Sequence, residues 1–393
     1  MRAMCAAEVA SVSPTIELLV GSGAFWRRAR ADIVAARSSV SVQAMTFEGD
    51  ATGLDVARAL HGSGAARRRV LVDTFSRMFI SDRFVFSPFS LRDAPFQSEI
   101  RATREMFLGL ERDGVEVRFT NPGGPLLMHW PQRNHKKLVV VDDRVAYVGG
   151  INFSDHNFEW HDLMVRIEDA DIGRHLAADF DATWDGKPNA GVARFGDVVV
   201  YSFDGHSNYE VFRGVLDLIA AAERSIHVVS AYLTFPFCEA LAVASERGVA
   251  VTVVTPDGNN KGILRDYLLW EAHRMGFDVR LVDGMSHLKA MLVDDRALVV
   301  GSSNFDFVSY HTQDELVVVL TAPEVIADFR RAVLDPDLAR ARPLAEAPDP
   351  IRGRLSFLAL KVAETATRAS RRVVPERYRA RLRTAAAAYG AER

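Results

Sequence analysis

The sequence predicts an α/β protein made of two duplicated lobes, each a largely buried sheet flanked by helices. Three observations predict it. The octet HKKLVVVD (135–142) returns as HLKAMLVD (287–294), with histidine first, lysine third and aspartate eighth in both. Three further segments recur in the same order ahead of each octet, the mark of a duplicated unit. Apolar, β-branched runs alternate throughout with stretches of helical periodicity.

Taken in order, ARSSVSVQAMTF (36–47) is a helix end running into a strand, and AERSIHVVSAYLTF (222–235) is its echo. LDVARAL (54–60) and FCEALAVASE (237–246) carry apolar residues at helical spacing. RRRVLVDTFS (67–76) matches RGVAVTVVTPDG (247–258) as the next strand, and GVEVRF (114–119) matches GFDVRL (276–281) as the one after. The octets follow. These matches place the first lobe at about 14–195 and the second at about 196–345. The proline-rich ARPLAEAPDPIRG (341–353) reads as a linker into a basic tail, 346–393.

At 393 residues and 48% hydrophobic, the chain can bury two ordinary cores. Cys5 and Cys238 are its only cysteines, so neither a disulfide framework nor a cysteine metal cluster can form, and a reducing compartment is expected. No apolar run approaches the roughly 18 to 20 residues of a membrane span. The N-terminal MRAMCAAEVASVSPTIE has no apolar stretch of signal-peptide length, so the expectation is a cytoplasmic protein held at the membrane only peripherally. The net charge of −3 is unevenly spread: the tail from Ile351 carries +8, leaving −11 on the body. A basic tail on an acidic body suits an anionic surface, lipid or nucleic acid; a solvated helix packed on the body accounts for it equally well.

Along an extended chain, side chains two apart share a face, so His135 emerges with Lys137 and His287 with Lys289. Asp142 and Asp294 sit at an odd offset, which points them away and favours tying down a turn over touching substrate. Asn152 and Asn304 each follow their histidine by seventeen positions, in GGINFSD and GSSNFDF. A glycine turn followed by Asn or Ser donors, Ser302 among them, could hold phosphate oxygens. Asp162 lies twenty-seven positions after His135 and Glu315 twenty-eight after His287. Either carboxylate could accept the Nδ1 proton of a catalytic histidine, fixing its tautomer and raising its basicity.

With HKKLVVVD and GGIN in one lobe and HLKAMLVD and GSSN in the other, the chain resembles the phospholipase D superfamily over roughly residues 14–330. Its RNHKKLVVVDDRVAYVGGINFSD and WHDLMVRIED are most similar to bacterial cardiolipin synthases. The resemblance implies a pseudo-twofold axis with both octets meeting at one site, and a catalytic set of His135, Lys137, Asp142, His287, Lys289 and Asp294. It further implies that His135 is the nucleophile and His287 the general acid and base, one neutral and the other protonated at the start, with a bell-shaped pH dependence. The implied reaction passes a phosphatidyl group between phospholipids through a phosphohistidine: two phosphatidylglycerols give cardiolipin and glycerol. Phosphatidylethanolamine is a second donor to consider. No metal or other cofactor is called for.

A phospholipase D hydrolase would differ only in letting water win the second step, and another phosphatidyltransferase would keep the same residues. A nuclease is disfavoured by the acidic body. A lipid-binding scaffold would bind membranes whether or not the histidines were present. The stretch 75–96, with Phe75, Phe79, Phe84, Phe86, Phe89 and Phe96 among arginines, has no counterpart in the second lobe. It could dip into a lipid surface or simply complete the core, and Phe235, Pro236 and Phe237 invite the same two readings. His129, His156 and His161 read as loop histidines, and Asp73 as a cap. The sequence leaves the oligomeric state open.

Overall fold

A computed structural model describes residues 13–122 and 130–373. Readings that fall on Cys5, on His129, on the basic residues from Arg377 onward and on the side chains of Arg371 and Arg372 lie outside what it describes.

The first lobe runs β1 (Thr15–Val20), β2 (Ser39–Ala44), β3 (Arg67–Asp73), a small hairpin of β4 (Phe79–Ile80) and β5 (Arg83–Phe84), then β6 (Glu116–Thr120), β7 (Leu138–Val141), β8 (Val145–Gly149) and β9 (Leu163–Glu168). The second runs β10 (Gly191–Phe195), β11 (Val198–Asp204), β12 (Ser225–Ser230), β13 (Ala250–Pro256), β14 (Asp278–Val282), β15 (Lys289–Val293), β16 (Ala297–Gly301), β17 (Asp314–Leu320) and β18 (Arg342–Pro343). The seven-stranded sheet has the order β1-β9-β8-β7-β2-β3-β6, and the nine-stranded sheet β10-β11-β17-β16-β15-β12-β13-β14-β18. All seven strands of the first sheet therefore have counterparts in consecutive places of the second, β11 to β14 in that order, the duplication read from the sequence. Parallel pairs β2/β3 and β3/β6 match β12/β13 and β13/β14. The octet strands β7 and β15 run antiparallel to the first strand of each parallel set.

The boundary expected at residue 195 moves. β10 pairs with β11 in the second sheet, so the lobes divide after the helix Ala170–Trp184.

Alternation along the octet strands decides the layering. Val139 and Val141 join Val40, Val42, Phe47 and Phe107 in a core between the first sheet and its outer helices. Leu138 and Val140 face the other way and meet Leu288, Ala290 and Leu292, so the sheets pack against one another over a shared apolar core. Met291 and Val293 point outward with Phe212, Leu241 and Tyr267 under the helices of the second lobe. Each sheet is thus buried on both faces, by helices outside and inside by the partner sheet together with the helices Ala170–Trp184 and Pro323–Phe329, which is why its strands read as nearly unbroken apolar runs.

The expected tail is only partly a tail. Pro350–Val373 is a helix, and it packs along the helix Gly262–Arg274 of the second lobe.

Candidate active site

The strand of each octet begins late. β7 starts at Leu138 and β15 at Lys289, while the residues ahead of each strand cross to the other lobe. His135 N–H donates to the Asp314 carbonyl at 2.9 Å and Asp314 N–H to the Arg133 carbonyl at 2.9 Å. In the mirror position His287 N–H donates to the His161 carbonyl at 2.8 Å, and His161 N–H to the Met285 carbonyl at 3.0 Å. Two short inter-lobe bridges, Asn134 with Asp314 and His161 with Ser286, therefore bring each histidine beside the segment that follows the other octet.

The carboxylates cross accordingly. His135 Nδ1 lies 2.9 and 3.1 Å from the two Glu315 oxygens, and His287 Nδ1 lies 2.7 Å from Asp162 Oδ2. The spacing had counted each carboxylate from the histidine of its own lobe; the fold pairs it with the other. A carboxylate can only accept here, so each Nδ1 carries the proton and each Nε2 keeps its lone pair. Both histidines, both lysines and both carboxylates are buried.

Glu315 is the more tightly held of the two. Ser302 Oγ–H donates to Glu315 Oε2, and Ser309 Oγ–H donates to Oε1 at 2.9 Å. Burial alone would raise the Glu315 carboxyl, but His135, Lys137 and Ser302 bring it below its ordinary range. Ser302, expected among the phosphate-binding donors, thus spends its proton on the carboxylate, a correction to that expectation. The equivalent residue of the first lobe is Gly150. A Cβ there would stand 2.4 Å from Asp162 Oδ1, so the shorter carboxylate packs against a glycine where the longer one meets a serine.

Lys137 and Lys289 curl back to the carbonyls of His135 and His287, at 2.8 and 2.5 Å. Burial lowers both ammonium groups, Lys137 to about 7 and Lys289 to about 8. Burial also pushes His135 down to about 4 against the pull of Glu315, and His287 down to about 3 with Lys289 adding to the push. Each histidine feels the lysine of the other lobe as well as its own, so the six groups form one electrostatic unit. Burial therefore disfavours the charged form of both imidazoles.

The asparagines differ between the lobes. Asn152 accepts from Thr46 N–H at 3.1 Å and donates to Asn157 at 3.0 Å, whereas Asn304 Oδ1 is buried without a hydrogen-bond partner among the described residues. The octet aspartates are not in the cluster. Asp142 accepts from Arg37 N–H (3.0 Å), Ser38 N–H (2.7 Å), Ser38 Oγ–H (2.8 Å) and Ser39 N–H (3.0 Å) at the far end of β7. Asp294 does the same for Glu223, Arg224 and Ser225 at 2.7 to 2.9 Å. Counting them with the catalytic set is therefore corrected: both bind backbone N–H groups where the next helix hands over to the sheet, as their odd offset had suggested.

Several neighbours carried no signal in the sequence. The Trp160 ring stands 5.0 Å from His287 and the Tyr232 ring 6.1 Å, with Lys261 Nζ 4.5 Å over Tyr232. Of the two octet histidines, only His287 has such ring neighbours among the described residues. Asp73 caps Phe75 N–H at 2.7 Å as expected. It also takes Arg133 at 2.9 Å and Asn134 N–H at 2.6 Å, which fixes the approach to His135. Lys136, between the two functional positions, faces the other way into a buried pair with Asp179 at 2.7 Å. The phenylalanine-rich stretch divides: Phe96 is buried, Phe75, Phe79 and Phe84 stack with one another and Trp130, and Phe86 and Phe89 are exposed. Phe235 and Phe237 belong to the core.

Comparison with known proteins gives a consistent result. A family model described as cardiolipin synthase, phospholipase D-like domain, matches residues 30–184 and 215–334. The minor cardiolipin synthase ClsB of Bacillus subtilis (strain 168) is 27% identical over 240 residues, covering 53% of this chain and 58% of that protein. Cardiolipin synthase A of Yersinia pseudotuberculosis serotype O:3 (strain YPIII) is 26% identical over 268 residues, covering 58% and 55%. The chain thus spans little more than half the length of these curated relatives. Among solved structures, phosphatidylserine synthase of Haemophilus influenzae Rd KW20 superposes with a TM-score of 0.66 at 14% identity, covering 90% of this chain and 94% of that one. Polyphosphate kinase of Porphyromonas gingivalis shares the fold at a TM-score of 0.54 and 14% identity, covering 89% and 56%.

Proposed function

The chain belongs to the cardiolipin synthase, phospholipase D-like domain family, and from that membership we propose that it is a phosphatidyltransferase that joins two phosphatidylglycerols into cardiolipin and glycerol. The observation that carries the reading is the crossed pair of histidine and carboxylate dyads, with two buried lysines between them.

The phosphodiester of the donor lipid enters between Lys137 and Lys289, whose charges offset its own and stabilise the further charge that develops on the phosphoryl oxygens. Asn152 and Asn304 add neutral donors there. His135 Nε2 attacks phosphorus and forms the N–P bond while the bond to the glycerol oxygen breaks. His287, protonated once the anion is bound, gives its Nε2 proton to that oxygen. Glu315 then faces the cationic phosphohistidine through Nδ1–H. Held by two serine hydroxyls, it is already in place when that charge appears, so little reorganisation is needed. In the second half, His287 removes the proton from the free hydroxyl of another phosphatidylglycerol. The resulting alkoxide attacks phosphorus, the N–P bond breaks and His135 is regenerated. Asp162 keeps His287 in the one tautomer that serves both steps.

The assignment of His135 as nucleophile rests on the family resemblance and on the better-braced carboxylate behind it. Mass spectrometry of lipids after incubation with phosphatidylglycerol vesicles tests the reaction. Cardiolipin and glycerol from the unmodified protein, absent from His135→Ala and His287→Ala, are the expected products. Phosphatidic acid in their place would make the protein a hydrolase.

A further inference from the structure

The helix Pro350–Val373 has two apolar faces. Gly353 lets one of them approach closely, since a Cβ there would lie 2.1 Å from the Trp270 ring. Phe357 stacks on Tyr267, and Leu360 and Thr367 are buried beyond it. The other face points to solvent and carries Ile351, Leu355, Leu358 and Val362 at 69, 61, 58 and 71% exposure. Their spacing of four, three and four places them on one stripe. A surface helix normally turns its polar side outward, and this one turns a second apolar side outward.

The exposed charges of the helix itself have one sign, and the carboxylate beside its first turn, Asp349, stands 3.7 Å from Arg352. Arg352, Arg354 and Arg368 are exposed, while Glu364, the only carboxylate of the helix among the described residues, faces inward beside His311 and Lys361. The sequence beyond adds Arg371, Arg372, Arg377, Arg379, Arg381 and Arg383 against the single Glu376 before residue 390. The helix runs antiparallel to Gly262–Arg274: Gly353 meets Trp270, Phe357 meets Tyr267, and Lys361 reaches Phe235. Its later turns therefore approach the first turn of Gly262–Arg274, the end that carries Lys261 and Asn260 against Tyr232 and hence lies near His287.

We propose that the outward face of Pro350–Val373 docks the enzyme on an anionic phospholipid surface, with Ile351, Leu355, Leu358 and Val362 entering the acyl boundary and the flanking arginines on lipid phosphates. A second copy would set arginines against arginines along the seam, and the segment after Val373 is itself arginine-rich, so neither complements this face as a phosphate layer does. The choice of lipid rests on the phosphatidyltransferase reading. Vesicle binding is measured without turnover, so the two can fail separately.

Flotation with mixed vesicles of phosphatidylcholine and phosphatidylglycerol, and with phosphatidylcholine alone, gives the test. The full chain is expected to float with the anionic vesicles and to release in high salt, and Leu355→Asp/Leu358→Asp to lose at least about a hundredfold in affinity. The same variant should turn over monomeric short-chain phosphatidylglycerol at the unmodified rate, which shows that its site is folded. A conservative probe, Leu358→Trp, should blue-shift on binding anionic vesicles and be quenched by lipids brominated on the acyl chain. Unchanged flotation of the aspartate variant, no flotation of the unmodified chain, or an unshifted tryptophan would each overturn the proposal. So would a dimer that the aspartates split into monomers. Loss of flotation in the variant when neither protein turns over any lipid would sustain the docking face and refute the reaction.

Discussion

Asp142→Ala separates the two halves of the octet motif. The aspartate stands seven residues from His135, roughly 20 Å along an extended chain, so it cannot touch a substrate bound there. What it does is accept hydrogen bonds from the N–H groups of Arg37, Ser38 and Ser39 and from the Ser38 hydroxyl. Discounted for partial exposure, these contribute about 1 kcal/mol each, so about 4 kcal/mol is lost. The backbone at Asp142 has φ of 52°, a left-handed conformation that aspartate tolerates and alanine does not, adding about 1 kcal/mol. At about 2 to 4 °C per kcal/mol for a chain of this size, melting should fall by about 10 to 20 °C. Calorimetry measures that fall, and lipid turnover at a temperature where the variant is folded should stay within about threefold of the unmodified rate, since no reacting group has changed. A melting temperature unchanged within a degree or two, together with a large loss of turnover, would refute the assignment and place the aspartate in the chemistry.

Other outcomes follow from the same geometry. Glu315→Gln leaves the shape of the dyad but removes the charge that orients and supports His135, so kcat should fall by about three to four orders of magnitude with little change in KM, measured by steady-state kinetics. Gly150→Ala would push the Asp162 carboxylate off His287, and kcat should drop by about a hundredfold while the His135 side is untouched. The pH profile of kcat/KM should be bell-shaped. Its acid limb lies where His135 gains a proton and loses its lone pair, near about 4, and its alkaline limb where His287 loses the proton it must donate, a loss that burial and then Lys289 favour. A rate that is flat from about 5 to 9 would contradict it.

The duplication, the succession of matched segments along the chain and the identity of the six clustered groups were legible because repeated residue types at repeated spacing survive any detail of packing. Even the structural role of Asp142 and Asp294 followed from the parity of their offset. The crossing of the dyads was not legible. Asp162 and Glu315 lie at nearly equal distances from their own histidines, and spacing along one chain says nothing of the inter-lobe register that the bridges at Asn134 and His161 impose. Ser302 and Gly150 likewise look interchangeable in GSSN and GGIN; only the reach of the carboxylate beside each tells them apart. The aromatic neighbours of His287 come from separate segments, and the inner face of Pro350–Val373 depends on a glycine meeting Trp270, a contact with no local signature. β10 was counted with the wrong lobe because a short strand after a helix carries no mark of the sheet it will join.

The central claim is covalent transfer through one histidine with the other as acid and base. It is tested most directly with a phosphatidyl ester of p-nitrophenol, a leaving group that needs no protonation, supplied to His287→Ala. Without the base for the second half, the variant should release one nitrophenolate per site in a burst and then stall. Peptide mass spectrometry should find the phosphatidyl group on His135. Steady turnover with no burst and no adduct would contradict the account, and an adduct on His287 in the reciprocal His135→Ala experiment would exchange the roles of the two histidines.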